Sequence, residues 1–327
     1  MRKRMSAHKL VLLVSIFILA LVVIYSGLQV LESTLLRPTG SENPAESKTI
    51  VRDGVSYYPR QDITVVMVSG IDLNGPVKSS GTYNNPGAAD MVSLLVFDQT
   101  NEKINVISIN RDTMMEIPVL GMKGRPAGTI HGQLALAHTY GTGLADSSVN
   151  LRNAVSNFLY GTQINYYVTM NMDAISIIND AVGGVTVNVT DDFSEIDSTI
   201  PLGQVTLTGS QAVNYVRGRR GVGDGLNLNR MERHKAYMAG FLTALDDTAE
   251  NSQSALVTAF EEAGPYMVTD CNTKILASLM DRYGDYELGE ILSVEGENVK
   301  GEQYMEYHVD EKALDKLILE YLYAPKK

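Results

Sequence analysis

The sequence predicts an α/β protein, a three-layer α-β-α sandwich around a mixed central sheet, preceded by one N-terminal transmembrane helix. The first observation is an uncharged apolar run over residues 10–31. The second is that strand-like apolar runs alternate with amphipathic helical patterns from residue 62 to 247, which is typical of a sheet covered by helices on both faces. The third is a short polar loop, DQTNEK, between two strand-like runs. This loop indicates a hairpin, and therefore a mixed sheet.

The N-terminal segment has the length and flanking charge of a membrane anchor. Residues 1–9 hold four cations and no acid, and residues 10–31 are uncharged. Twenty-two residues at about 1.5 Å each span roughly 33 Å, enough to cross the hydrocarbon core. The flanking cations favour a cytoplasmic N-terminus and an extracytoplasmic remainder. A cleaved signal peptide is the alternative, but YSGLQVLEST contains no small-residue cleavage site.

The charge balance excludes several classes of protein. The chain has 38 acidic residues and 27 lysines and arginines, a net charge of −11. Four of the cations lie in residues 1–9, so the remainder has 23 cations and a net charge of −15. A net charge of this sign argues against general nucleic-acid binding. Cys271 is the only cysteine, so neither a disulfide framework nor a Cys/His zinc site is expected. An exported chain of this composition fits a single-pass protein of the bacterial cell membrane.

The rest of the chain divides into three predicted parts. Residues 32–61 are polar and proline-containing, which is typical of an extracytoplasmic stalk. Residues 62–247 are the predicted α/β domain, and residues 248–327 a small C-terminal appendage without assigned chemistry. The predicted strands cover residues 63–70, 91–98, 104–110, 164–170 and 185–189, and the predicted helices 147–161, 171–182, 207–219, 228–245 and 310–323.

Five arginines are concentrated in the stretch YVRGRRGVGDGLNLNRMERH, residues 215–234. Ion pairs with Asp224 and Glu232 on a solvated surface are one explanation. Phosphate or pyrophosphate binding is the other, because a guanidinium donates paired hydrogen bonds to phosphate oxygens. Glycines let the backbone approach an anion, and the start of the following helix adds partial positive charge.

A second group of charged residues follows the predicted strands. Asp72 comes after the first strand, Asp90 opens the second, and Arg111 and Asp112 follow the third. Ligands of open α/β sheets bind beyond strand ends. Carboxylates beside arginines either pair with them or hold Mg²⁺ that bridges to phosphate. Signatures of a P-loop and of a nucleophile elbow are absent from the sequence, and His131 and His138 are expected to be packed or solvated.

Six motifs in order resemble the LytR-CpsA-Psr family, from residue 62 to about 245. They are ITVVMVSGID, ADMVSLL, ISINRDT, INYYVTMN, DAVGGVTVNV and L-x-G-x-Q-A-x-x-Y-x-R-x-R with N-R-x-E-R. Members of that family are anchored envelope proteins understood as phosphotransferases. The resemblance implies a Mg²⁺-dependent enzyme that moves a glycopolymer from a polyprenyl-pyrophosphate carrier onto peptidoglycan.

The resemblance also implies roles for individual residues. A hydroxyl, in the family the C6 oxygen of muramic acid, would attack one phosphorus, and polyprenyl phosphate would leave. The proton acceptor stays open. The carrier's tail would need an apolar slot, for which the helices at 147–161, 171–182 and 228–245 are candidates, with ordinary core as the alternative. The implied catalytic residues are Asp90, Arg111, Asp112 and Arg219, the implied pyrophosphate ligands are Arg111, Arg217, Arg219, Arg230, Arg233 and His234, and the implied metal ligands are Asp90 and Asp112.

The sequence departs from the family pattern at several positions. Ala88 stands where an arginine is usual, and the arginine usual near Asp72 is missing. His131 and Gln133 are the candidates to replace a Lys-x-Asn within TIHGQL, and His234 replaces a glutamine. Fewer cations would weaken the grip on an anionic substrate. A non-catalytic polyprenyl-phosphate binder or regulator, and a polyprenyl-pyrophosphate hydrolase, therefore remain alternatives.

Overall fold

The computed structural model describes residues 49–325, except 220, 226, 252–257, 259–261, 273–274, 276–277, 280–281 and 284–285. The predicted anchor and most of the predicted stalk lie outside the described residues, so both stay predictions. Among the helices that the structure describes, none is long and apolar enough to cross a membrane.

A six-stranded mixed sheet forms the centre of the fold. Its strands are β3 (Ile63–Ile71), β4 (Ala89–Asp98), β5 (Lys103–Ile109), β8 (Tyr166–Asn171), β11 (Met267–Thr269) and β12 (Glu287–Ser293). Their order in the sheet is β11-β8-β3-β4-β5-β12. The pairs β3–β8 and β5–β12 are parallel, and the other neighbouring pairs are antiparallel. The predicted hairpin is β4–β5.

Helices pack against both faces of the sheet. They are α1 (Ala145–Phe158), α2 (Met172–Ala181), α3 (Gly209–Arg217), α4 (Asn227–Asn251) and α5 (Glu311–Tyr321). Alternate residues of each strand point to opposite faces, so Val66 and Val68 join one apolar cluster while Val65 and Met67 join another. Side chains of α2, α3 and α4 belong to the first cluster, and those of α1 and α5 to the second. The predicted α/β class with a mixed central sheet is confirmed.

Local capping explains where several helices begin. Thr208 and Gln211 form a capping box at the start of α3, and the Asp310 side chain accepts from two backbone N–H groups of α5. Asn171 immediately precedes α2. Its side chain makes no cap, however, and donates instead to the Gly75 carbonyl oxygen at 2.8 Å. It therefore holds the loop after β3.

Smaller sheets surround the central one, and some use residues that the sequence assigned to other parts. Both edge strands of the central sheet, β11 and β12, follow residue 247, so the sheet extends past the predicted start of the appendage. Residues 50–59, predicted as stalk, form an antiparallel pair of strands, and residues 57–59 also pair with residues 323–325 at the C-terminal end of the described chain. The remaining strands are β1 (Ile50–Arg52), β2 (Val55–Pro59), β6 (Met114–Leu120), β7 (Pro126–Gln133), β9 (Val185–Val189), β10 (Gly203–Leu207), β13 (Gly296–Lys300), β14 (Met305–Val309) and β15 (Tyr323–Pro325).

The two histidines of the segment TIHGQLALAHTYG have different environments. His131 is exposed and lies 3.2 Å from Glu116, whereas His138 is buried. Nδ1 of His138 donates to the carbonyl oxygen of Gly87 at 2.8 Å, just before β4. Burial lowers the pKa of His138 to about 4. The imidazole is therefore neutral at pH 7.

We predict that His138 makes the fold less stable in acid. The unfolded chain protonates this imidazole near pH 6.5, whereas the folded chain resists protonation down to about pH 4. Stability is therefore lost as pH falls between these values, by up to about 3 kcal/mol. His138→Asn keeps a donor for Gly87 and removes the titration. Unfolding midpoints of this variant, measured from pH 7 to 4, should decline less than those of the wild type and of His131→Ala; an identical decline in all three would contradict the prediction.

Candidate active site

The charged residues predicted at strand ends meet at one edge of the sheet. Strands β3 and β5 end at the edge where β4 begins, because both are antiparallel to β4. Asp72, Asp90 and the segment 110–113 are therefore neighbours, as the sequence analysis expected. The first turn of α4 brings Arg230 to the same edge, where its guanidinium contacts Asp90. The site therefore combines groups from far-separated parts of the chain.

Asp90 is the carboxylate that joins these elements. Its Oδ1 accepts from Nη1 of Arg111, and its Oδ2 accepts from Nη1 of Arg230 at 2.7 Å. Arg230 is only 3% exposed and also donates through Nη2 to the Asp90 carbonyl oxygen at 3.2 Å. Burial lowers the pKa of Arg230, and the Asp90 charge opposes that effect. Both oxygens of Asp90 are thus occupied by guanidinium groups.

The Asp90 carboxylate with Arg111 and Arg230 is called the clamp below. Asp112 lies beside the clamp, and one of its oxygens accepts no hydrogen bond within the described part of the chain. Its Oδ1 accepts from Nε2 of Gln133 at 3.0 Å and lies 3.4 Å from Nε of Arg111. Its Oδ2 is 3.5 Å from Nη2 of Arg219 and accepts no hydrogen bond from the described residues. Burial raises the pKa of Asp112, although Arg219, Arg111 and Arg230 lower it. Oδ2 of Asp112 is therefore a buried acceptor that lies beside Arg219 without a hydrogen bond from the described residues.

Two asparagines that the sequence analysis did not select connect these charged groups. Oδ1 of Asn110 accepts from the Asp112 backbone N–H at 2.9 Å and from Nδ2 of Asn227 at 2.7 Å. Asn227 in turn accepts through Oδ1 from Nε of Arg230 at 2.9 Å. The available sequence signal was the spacing of Asn227 and Arg230, three residues apart at the start of a helix, where side chains are neighbours.

Among the arginines of the cluster that the structure describes, Arg217 and Arg219 are the more exposed ones. Nη2 of Arg217 lies 2.6 Å from Oδ1 of Asp72, and its side chain is 44% exposed. The Arg219 side chain is 29% exposed, and its Nε donates to the Gly225 carbonyl oxygen at 3.2 Å. Gly225 has a φ of +71°, a conformation that favours glycine, so the turn folds back onto Arg219. Ion pairs are therefore present, although with Asp72 and Asp112, while Glu232 pairs with Lys235. Phosphate binding by these arginines stays a prediction.

The structure does not bring Arg233 into this cluster. Its guanidinium donates to Asp191 at 2.9 Å, to the Tyr215 carbonyl oxygen at 3.3 Å and to the Gly218 carbonyl oxygen, and it stacks over Phe193 at 5.5 Å. The residue is buried. These contacts hold the end of α3 and the loop after β9 against α4. Among the described residues, Arg233 therefore stabilises the turn that carries Arg217 and Arg219 by contacting its backbone.

His234 lies close to the clamp but is occupied by the backbone. Its Nε2 donates to the Val216 carbonyl oxygen at 2.7 Å. Burial, and then the Arg230 charge, lower its pKa to about 4. The His234 imidazole is therefore neutral at pH 7, and it lines an apolar slot between the sheet and helices α2 and α4. Its predicted contact with pyrophosphate stays a prediction.

An apolar slot opens from the clamp between the sheet and helices α2 and α4. It contains about 1060 Å³ of empty space, including its mouth. Asp90, Arg217 and Arg230 border it beside the aliphatic wall. The predicted lining by the helices at 171–182 and 228–245 matches this slot, whereas α1 packs on the opposite face of the sheet. Side chains of its apolar wall include Val68, Met170, Ile175, Ile178, Met238 and Phe241.

The donor set can be tested for its fit to Mg²⁺. Among the described residues there is no group of three or more His, Cys, Asp or Glu side chains arranged for a metal. Mg²⁺ is commonly bound through one or two carboxylates together with substrate phosphates and waters. Asp112 fits that role through its free Oδ2, whereas Asp90 would first have to release an arginine. The predicted metal site stays a prediction, with Asp112 the better ligand of the pair.

Comparison with known proteins identifies the family. The model of the LytR_cpsA_psr family matches residues 33–320. The chain belongs to the LytR-CpsA-Psr family. A relative from Oceanobacillus iheyensis, named polyisoprenyl-teichoic acid–peptidoglycan teichoic acid transferase TagU, is 25% identical over 265 residues, 80% of this chain and 74% of the relative. A Bacillus anthracis protein of the same name is 30% identical over 177 residues, 54% of this chain and about half (51%) of that relative's length.

Solved structures of low sequence identity share the fold. Bacillus subtilis TagV aligns with a TM-score of 0.58 at 21% identity, covering 79% of this chain and 95% of TagV. A structure described as TagT bound to LI-WTA aligns with a TM-score of 0.58 at 18% identity, covering 79% of this chain and 88% of TagT. The protein gbs0355 from Streptococcus agalactiae gives a TM-score of 0.62 at 18% identity, covering 79% of this chain and 86% of that protein.

We predict that the stability of the fold depends much more on Arg233 than on Arg219. Arg233→Gln leaves Asp191 without its buried partner and should lower the free energy of unfolding by roughly 3–5 kcal/mol. Arg219→Gln changes a partly exposed residue and should lower it by less than about 1 kcal/mol. Chemical denaturation of both variants measures the difference. Equal stability losses in the two variants would contradict the assignment of Arg233 as support.

Proposed function

We propose that the protein is a membrane-anchored phosphotransferase that moves a glycopolymer from a polyprenyl-pyrophosphate carrier onto peptidoglycan. The observation that carries this proposal is the apolar slot bordered by Asp90, Arg217 and Arg230. Such a site suits an amphiphile with a long apolar tail and an anionic head. Family membership and the names of the TagU relatives support the same reaction.

The proposed binding mode uses each part of the site differently. The isoprenoid chain occupies the slot between the sheet and helices α2 and α4. The accessible N–H groups of Arg217 and Arg219 bind pyrophosphate oxygens, since a guanidinium matches phosphate in planar, paired geometry. Arg111 and Arg230, held by Asp90, add positive charge at the head of the slot. Mg²⁺ at Asp112 would neutralise further phosphate charge.

The proposed chemistry is a direct phosphoryl transfer. A peptidoglycan hydroxyl oxygen forms a bond to the phosphorus that carries the glycopolymer. The bond from that phosphorus to the bridging oxygen breaks, and its electrons leave with polyprenyl phosphate. The proton of the hydroxyl ends on the departing phosphate or in solvent. Fixed arginine charges stabilise the phosphorus centre as charge builds up on its oxygens.

The proposed cellular setting follows from the predicted anchor. A cytoplasmic N-terminus and one membrane span would keep the site on the extracytoplasmic side, near a carrier that is confined to the membrane. Teichoic acid is the polymer named for the TagU relatives. It is therefore the first donor to supply in a transfer assay.

The test is a transfer assay with full-length protein in detergent micelles. It combines a labelled polyprenyl-pyrophosphate glycopolymer with peptidoglycan, with and without Mg²⁺. We predict labelled peptidoglycan and polyprenyl phosphate in equal amounts, with the rate reduced about 10²-fold or more in Arg219→Gln. Glu232→Gln, at an exposed acid of α4, is the control. Release of the polymer into water would indicate a hydrolase, and tight binding of the donor without any release would indicate a binder; either result would overturn the transferase.

We also predict that filling the slot affects only long-chain donors. Ile175→Trp places an indole in the space proposed for the isoprenoid chain. The KM for a long-chain donor should rise at least about tenfold, a loss of roughly 1.4 kcal/mol in binding. A donor with a two-isoprene chain should be much less affected. Leu202→Trp, at an exposed side chain, is the control; an equal rise in KM for both donors would contradict a tail-binding slot.

A further inference from the structure

The end of strand β7 and the C-terminal strand β14 meet at Asp112. Gln133 is the last residue of β7, and its side chain is largely buried at 8% exposure. Nε2 of Gln133 donates to Oδ1 of Asp112 at 3.0 Å and to the carbonyl oxygen of Met305 at 2.8 Å. One side chain thus links the carboxylate to residues near the end of the chain.

The amide chemistry fixes the orientation of Gln133. A carboxylate and a carbonyl oxygen can only accept hydrogen bonds, so the group between them must supply two N–H donors. The amide nitrogen of glutamine has two hydrogens, one for each acceptor. A glutamate at this position would bring a third acceptor against them, whereas a lysine ammonium has enough donors for both.

Strand β14 also holds the backbone of the same segment. The Tyr307 N–H donates to the Asp112 carbonyl oxygen at 2.9 Å, and Thr113 forms a parallel β-bridge with Tyr307. The Tyr307 hydroxyl donates to the Val294 carbonyl oxygen at 3.0 Å, which fixes β14 to the end of β12. The hairpin β13–β14 is therefore packed directly against the backbone of Asp112 and Thr113.

His131, the other candidate on β7, is not placed to hold the Asp112 carboxylate. It lies two residues earlier on β7, it is exposed, and it lies beside Glu116. Of the two residues of TIHGQL considered as replacements for the family's Lys-x-Asn, Gln133 is the one that reaches the site.

We propose that Gln133 is the positioning residue of Asp112, and that the hairpin β13–β14 supplies the second anchor for its amide. By occupying Oδ1, Gln133 sets the rotation of the carboxylate and leaves Oδ2 free on the side of Arg219. The catalytic consequence rests on the proposed function. The positional link does not, since it follows from the contacts alone.

The kinetic test uses three substitutions of Gln133 in the full-length protein. Gln133→Met keeps the size but removes both donors, and should lower kcat about 10²-fold with an unchanged KM for the lipid donor, because Gln133 does not line the slot. Gln133→Lys should restore most of kcat, and Gln133→Glu should be at least as impaired as Met. His131→Ala is the control with wild-type kinetics. A Lys variant as inactive as Met, or a rise in KM with unchanged kcat, would overturn the positioning role.

A second measurement does not depend on transfer activity. Thermal unfolding midpoints of Gln133→Met, Asp112→Asn and the double variant report whether the two side chains interact. We expect the shift of the double variant to be clearly smaller than the sum of the two single shifts. Additive shifts would overturn the proposal. Coupled shifts in a protein whose wild type transfers nothing would retain the link between Gln133 and Asp112 and reject the transferase instead.

Discussion

The site depends on the carboxylate of Asp90, which accepts from a guanidinium at each oxygen. Arg111 comes from the end of β5 and Arg230 from the first turn of α4. Without this carboxylate, two largely buried cations would face each other, and an uncompensated buried charge is strongly destabilising. The clamp therefore fixes the position of α4 over the sheet. The apolar slot exists because α4 is held there and leaves space above Val68, Met170 and their neighbours.

The local charge at the site is positive although the protein as a whole is acidic. Four arginines, Arg111, Arg217, Arg219 and Arg230, share three aspartates, Asp72, Asp90 and Asp112. The aspartates hold the arginines in place and leave a formal excess of one positive charge. Among the described arginines of this group, Arg217 and Arg219 have the most exposed side chains. The proposed phosphate-bearing ligand would reach them without first breaking the buried clamp.

Sequence periodicity was sufficient for the centre of the fold and for the meeting of the strand ends. The long strands β3, β4 and β5 are recognisable as apolar runs, so Asp72, Asp90 and Asp112 can be grouped from the sequence alone. The edge strands could not be found in this way, because β11 has three residues and β12 is only half-buried without strict alternation. Pairing across more than 100 residues, as between Asn110 and Asn227, leaves no local pattern either. The R-x-x-R spacing likewise does not indicate that Arg230 pairs with Asp90 while Arg233 pairs with Asp191.

Binding of head and tail by one continuous site is the claim that matters most. Its most direct measurement is the affinity of the full-length protein for polyprenyl pyrophosphate, for the matching polyprenol and for inorganic pyrophosphate, each at low and high salt. If one continuous site binds head and tail, polyprenyl pyrophosphate should bind far more tightly than polyprenol or inorganic pyrophosphate, and both of these should compete with it. Salt should weaken the binding of the two phosphate-bearing ligands but not that of polyprenol. Equal affinity for polyprenyl pyrophosphate and inorganic pyrophosphate, or failure of the polyprenol to compete, would contradict it.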